Sequence, residues 1–184
     1  MNSEHRGTVD RGNATPQQPL SLSVAADSAS GQYLTFALAG GSFAIPILSV
    51  REIRRWEDVA HIPRSPDYVL GVINLRGAVV PVLDLRARLG MELRERTPTS
   101  VVIVVRVVIA NGNEVLIGCL VDGVSDVVSF AADSARPTPD ACGTVDTHFV
   151  AGVATVEKEL VMVLDLVRLV ETSKTAQASD RLMI

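Results

Sequence analysis

The residues with reactive chemistry are few and scattered. The histidines are His5, His61 and His148, and none has cysteine, aspartate or glutamate partners at metal-ligand spacing. Cys119 lies inside an apolar run and reads as a small core residue, while Cys142 stands alone. Two isolated cysteines make neither a disulfide framework nor a zinc site. Asp84 and Asp165 could be paired as acids, but each stands just ahead of a Leu-containing helix start, which is where an aspartate caps backbone N–H groups. No Ser/His/Asp constellation and no Gly-x-x-x-x-Gly-Lys-Ser/Thr phosphate loop is found. The pattern favours a binding module over an enzyme, with no cofactor and no metal expected.

What remains is contact chemistry, concentrated in Gly71–Leu85. An apolar run ends at Asn74-Leu75, Arg76-Gly77 turns the chain, and a second apolar run returns to Asp84. Gly77 supplies the permissive backbone of a tight hairpin. Arg76 is then a charge held on a turn between two buried strands, facing solvent or another molecule, because arginine is seldom buried without a partner. Its plain alternative is a solvated turn arginine.

The elements that must position this turn are strands. The 184 residues are 47% hydrophobic and only 4% aromatic, with Val, Leu, Ile and Ala dominating in short runs. Strands are expected at Tyr33–Leu38, Phe43–Ile47, Val101–Ile109, Val115–Val121 and Leu160–Leu164, and Asn111-Gly112 is a hairpin turn. Short helices are expected at Pro66–Leu70, after Ser65, and from Asp84 to Gly90. Asp165–Val170 could form a third, and Arg136–Pro139 reads as a Pro-rich loop. Pro81 predicts an edge strand or a bulge. Leu48–Trp56 mixes Val50 and Ile53 with Arg51, Glu52, Arg54 and Arg55, and Trp56 suits core or rim packing, with an interface role open. Residues 1–30 read as a disordered tail and 172–184 as a weakly ordered one. The 31–171 region has its natural linker near 92–100. The net charge of −4 argues against a nucleic-acid binder. No run approaches a membrane span, and the N-terminus lacks a secretory pattern, so a cytoplasmic protein is expected.

The two halves echo each other. Val69, Gly71, Val72, Val82, Leu83, Asp84 and Leu85 recur identically 81 residues later as Val150, Gly152, Val153, Val163, Leu164, Asp165 and Leu166. Val50-Arg51-Glu52-Ile53 resembles Val124-Ser125-Asp126-Val127 at an offset of 74, so a loop differs by seven residues. Two copies of one small β unit, each marginal alone, should share a core. The copies differ at the tip, where Glu157-Lys158 replaces Arg76-Gly77, and this favours a specific role for Arg76.

Several motifs together resemble the CheW chemotaxis coupling proteins. They are Phe43-Ala-Ile-Pro-Ile-Leu-Ser-Val-Arg-Glu-Ile-Arg, Gly71-Val-Ile-Asn-Leu-Arg-Gly, Pro81-Val-Leu-Asp-Leu-Arg and Val121-Asp-Gly-Val-Ser-Asp-Val, within a match from about Gln32 to Val170. The resemblance implies an all-β fold of two intertwined five-stranded SH3-like β-barrels with a few short helices. It implies no catalysis. It implies an adaptor between the cytoplasmic tips of chemoreceptors and the CheA histidine kinase, touching the membrane only through the receptors. Carried over, Arg76 lies at or near the receptor-facing surface. Val50 and Glu52 lie in a partner-binding segment, and Gly71 and Gly77 lie in the coupling motif. Each has a plain counterpart: Val50 as core, Glu52 as a solvated charge, Gly71 as a helix terminator. The other readings are a CheW-like adaptor of a non-flagellar pathway such as pilus motility or gene regulation, and a ligand-binding β-barrel.

Overall fold

In a computed structural model, residues 31–130 and 145–171 are described. The expected tails, the Pro-rich loop and Cys142 lie outside them. Ten strands run in order: β1 (Gln32–Leu38), β2 (Gly41–Pro46), β3 (Val50–Arg55), β4 (Val69–Leu75), β5 (Ala78–Asp84), β6 (Val101–Val108), β7 (Glu114–Val121), β8 (Gly123–Ser129), β9 (Val150–Val156) and β10 (Glu159–Leu164). One short helix, α1 (Leu85–Arg88), follows β5, and residues 166–171 are helical after β10.

The strands form two five-stranded sheets, ordered β8-β1-β2-β10-β9 and β3-β6-β7-β5-β4. Each sheet draws on both halves of the chain, so the expected boundary near 92–100 divides the repeat along the sequence but not the sheets in space. The register exposes a pseudo-twofold relation. Val82 pairs with Gly118 as Val163 pairs with Ala44, and both pairs are parallel. Moving Val82 by 81 and Ala44 by 74 interchanges the two, matching the offsets in the sequence. The extra seven residues fall between β8 and β9.

The second sheet closes on itself. After β3 the chain crosses to β4, where the Ala60 and Val72 backbones exchange hydrogen bonds of 3.1 and 2.9 Å. The apolar residues then divide by strand alternation. Val102 and Val104 face the interior of this barrel with Val80, Val82 and Leu120, while Ile103 and Val105 face the core between the sheets with Phe36, Phe43 and Leu89. Burial on both faces explains why Val101–Val105 reads as an unbroken apolar run. The first sheet has its own inner cluster of Tyr33, Ala44, Val161 and Val163.

Two local expectations change. Pro66–Leu70 is not helical: Val69 N–H donates to Pro66 O in a single turn (2.8 Å), the Ser65 hydroxyl donates to Ile62 O (2.9 Å), and Val69 already pairs with Leu83. Pro81 lies in an interior strand, so the edge expectation fails, while the bulge expected as its alternative is present beside it, between Val69 and Gly71. Opposite Pro81, Val72 directs its N–H and C=O to Ala60, so the proline nitrogen faces β7 where the β5–β7 ladder, which begins at Val82, has not started. Asp84 does cap α1, its Oδ1 accepting from Arg86 N–H (2.9 Å), and Asp165 accepts from Arg168 N–H (3.0 Å), so neither acts as half of an acid pair.

Candidate contact faces at the hairpin tips

The β4–β5 turn is built from two consecutive left-handed residues, Arg76 at φ 52° and Gly77 at φ 92°. This is the twist that a two-residue hairpin needs. The Asn74 side chain steadies it, Oδ1 accepting from Gly77 N–H at 2.8 Å. Arg76 is exposed at the tip. The β9–β10 turn has the same backbone, Glu157 at φ 49° and Lys158 at φ 75°, with no glycine. A reversal alone therefore does not require the Arg-Gly pair.

Beside each tip stands an apolar side chain that the barrel does not bury. Val79, opposite Asn74, is 71% exposed; its counterpart Leu160, opposite Thr155, is 69% exposed. The same holds at the edge strands, where Ile53 of β3 is 44% and Val127 of β8 is 48% exposed. Exposed apolar residues thus recur in equivalent places on both halves. Their charged neighbours differ. Val79 sits by Arg76, whereas Leu160 sits among Glu157, Lys158 and Glu159. On β3, Ile53 is flanked by the exposed Arg51 and Arg55, and on β8, Val127 by Ser125 and Ser129. Sequence reasoning passed over Val79 because it lies in the run Ala78-Val79-Val80, where only alternation in the folded strand separates the outward valine from the inward one.

The residues singled out in the sequence separate by role. By register, Arg76 and Gly77 lie at one end of the β3–β4 sheet, whereas Val50 lies level with Pro81 and Val72, midway along the β4–β5 hairpin. Val50 is half-buried and packs on the inter-sheet core. Glu52 sits further along edge strand β3, with its carboxylate 3.6 Å from Arg54 Nε, and Arg54 also reaches Glu57 at 3.7 Å. These pairs are solvated enough to add little stability. Gly71 is buried at φ 153°. A Cβ there would lie 2.4 Å from Ala60 O and 2.8 Å from Val59 Cγ2. It is a close-approach glycine at the barrel seam and does not end a helix. Trp56 packs on the barrel cluster under the Arg96 guanidinium, 4.3 Å from its ring. Cys119 is buried, and burial pushes its thiol up to about 12. His61 and His148 are exposed, and no metal-capable group of His, Cys, Asp and Glu occurs among the described residues.

A second polar centre lies where the chain passes between the sheets. Asp122 accepts from Ala39 N–H at 2.8 Å and from Arg86 Nε at 2.9 Å, with Arg86 Nη2 on its other oxygen. One carboxylate thus ties α1 to the β1–β2 turn.

Residues 32–174 match the CheW-like domain. The chain belongs to this family. A chemotaxis protein CheW of Rhizobium meliloti is 38% identical over 135 residues, covering 73% of this chain and 84% of that protein. One of Klebsiella aerogenes is 33% identical over 153 residues, covering 83% and 89%. Among solved structures, the scaffolding protein TtCheW of Thermoanaerobacter tengcongensis superposes with a TM-score of 0.68 at 28% identity, over 87% of this chain and 94% of that one. The all-β fold with two five-stranded sheets is that of a CheW-like scaffold. No helix among the described residues of this CheW-like chain is long and apolar enough to cross a membrane.

Proposed function

We propose that this CheW-like chain is a non-enzymatic adaptor that couples the cytoplasmic tips of chemoreceptors to a CheA-type histidine kinase in chemotaxis signalling. It works in the cytoplasm and meets the membrane only through the receptors. The observation that carries the reading is the pair of equivalent hairpin tips. Both offer an exposed apolar side chain, Val79 or Leu160, and they differ in charge. An adaptor needs two distinct faces on one small body. Apolar centres supply contact area, and rim charges supply register and discrimination. Bridging two partners also lets an array gain from avidity. The Arg76 tip, with Val50 and Glu52 along edge strand β3 of the same sheet, is the receptor-facing side. Gly77 shapes that tip, and Gly71 holds the barrel seam behind it.

The test is a pull-down from the native lysate with wild type and Arg76→Glu, read by mass spectrometry. Arg76 is exposed on a turn, so the variant should keep its β-sheet circular dichroism and its kinase while losing receptors. The receptors and kinase recovered also identify the pathway, flagellar or not. Recovery of neither class by folded wild-type protein would sink the adaptor reading.

A further inference from the structure

Residues 81 apart are equivalents in the two halves, and two such pairs meet between the sheets. Tyr68 immediately precedes β4, and Phe149 immediately precedes β9. Arg88 lies in α1, and Leu169 in the helix after β10. The Arg88 guanidinium carbon is 4.4 Å from the Tyr68 ring centre and 4.5 Å from the Phe149 ring centre. Its Nη2 donates to Leu169 O at 3.1 Å. A single side chain from the first half therefore touches both members of the aromatic pair and its own counterpart.

This placement is costly. Arg88 is only 9% exposed, and its Nε and the Tyr68 hydroxyl have no hydrogen-bond partner among the described residues. Burial works against its charge, and Tyr68 and the Asp146 carboxylate offset part of that. Guanidinium stays protonated nonetheless. The counterpart position is Leu169, fully buried and apolar. A leucine-like residue would avoid burying a charge, so the arginine is there for what it joins.

What it joins are the bases of the two hairpins. Each base is closed by one backbone bond, Asp84 N–H to Tyr68 O and Asp165 N–H to Phe149 O, both 2.8 Å. We propose that Arg88 is a positioning residue that couples these bases, so that displacement of the β4–β5 hairpin is transmitted to the β9–β10 hairpin. Its signalling consequence, that a partner at one tip alters the other tip, rests on the two-faced adaptor reading. The coupling itself does not.

The experiment is amide hydrogen exchange on the full chain without any partner, so it stands or falls apart from the adaptor reading. Tyr68→Leu removes one wall of the sandwich. Amides at 150–152 and 166–171 should then exchange about thirtyfold faster, the effect of one desolvated cation–π contact. Amides of β6, an interior strand of the sheet that holds β4, report global opening and should change less. In an Arg88→Met background, which keeps an unbranched apolar stem, Tyr68→Leu should no longer reach those amides. Arg88→Lys keeps the charge without the plane that lies against both rings; it should behave as Met does and serves as the background if the Met variant does not fold. The coupling is overturned if Tyr68→Leu changes nothing beyond its own hairpin in the wild type. It is equally overturned if the remote change persists without the guanidinium, or if β6 speeds up equally.

Discussion

Gly71→Ala should unfasten one barrel. At φ 153° an alanine sits in strained backbone, and its Cβ would meet Ala60 O at 2.4 Å, Val59 Cγ2 at 2.8 Å and Ala60 C at 2.9 Å. Two of these are backbone atoms that cannot swing aside as the end of a side chain does. Relief requires the Val59–Ala60 segment to back off, which breaks both Ala60–Val72 hydrogen bonds. Backbone strain costs about 1–2 kcal/mol, and the two hydrogen bonds about 1 kcal/mol each, for a total of about 3–4 kcal/mol. That is a large share of the roughly 5–15 kcal/mol of a typical domain. With a urea slope of about 2 kcal/mol/M, the midpoint should fall by about 1.5–2 M. Trp56, the only tryptophan, packs with Val59 in the same cluster and is the natural fluorescence probe. Gly77→Ala is the control. It also has positive φ, at 92°, but nothing lies within 4 Å of its added Cβ, so it should cost only about 1 kcal/mol. If the two substitutions cost the same, the close approach is not what demands glycine at 71. A second readout follows: partner binding lost in Gly71→Ala should return under stabilising osmolyte, whereas binding lost in Arg76→Glu should not.

Asp122→Ala leaves the largely buried Arg86 unpaired and frees the Ala39 amide; urea unfolding should register a loss of about 1–3 kcal/mol, and a loss below about 0.5 kcal/mol would mean the clamp is idle. Cys119, studied in a Cys142→Ser background, should resist Ellman's reagent at pH 8 until the protein unfolds. Burial holds its proton in the folded state up to about 12 against 9.0 when unfolded. Its contribution is therefore complete below pH 9 and is lost as pH rises from 9 toward 12. A Cys119→Ala variant should lack that part of the alkaline decline, and identical slopes would refute the assignment.

Much of this architecture was legible because alternation and turn chemistry are local. Asn111-Gly112, the Arg76-Gly77 turn and the Asp84 and Asp165 caps announce themselves within a few residues, and the repeat is visible as identities at one offset. What was not legible depends on the partner strand. Pro66–Leu70 carries helix-start chemistry, yet Val69 is claimed by pairing with Leu83 of β5 and Leu70 falls in the bulge that follows. Pro81 reads as an edge or bulge signal; the ladder is bulged beside it, and with the Ala60 bridge this lets it sit inside a sheet. Gly71 looks like a terminator until Val59–Ala60 is seen crossing above it. At the candidate site, Arg76 was readable from its turn. Val79 and Leu160 were hidden in apolar runs, and Arg88 was hidden because an arginine in a short helix that also carries Arg86 looks like surface.

The exchange of strands between the halves also sets an order in time. The β3-β6-β7-β5-β4 sheet has every strand once residue 121 has been synthesised. The other sheet does not: β2 waits for β10, whose Val161 pairs with Ser42, and β1 waits for β8. A chain emerging from the ribosome at about 5–20 residues per second therefore carries β1–β2 as a hairpin with two open edges for several seconds. Such edges are templates for pairing with other chains. β1 and β2, made first, thus wait longest for their partners, and the nascent protein is most open to mispairing or to a chaperone during that interval.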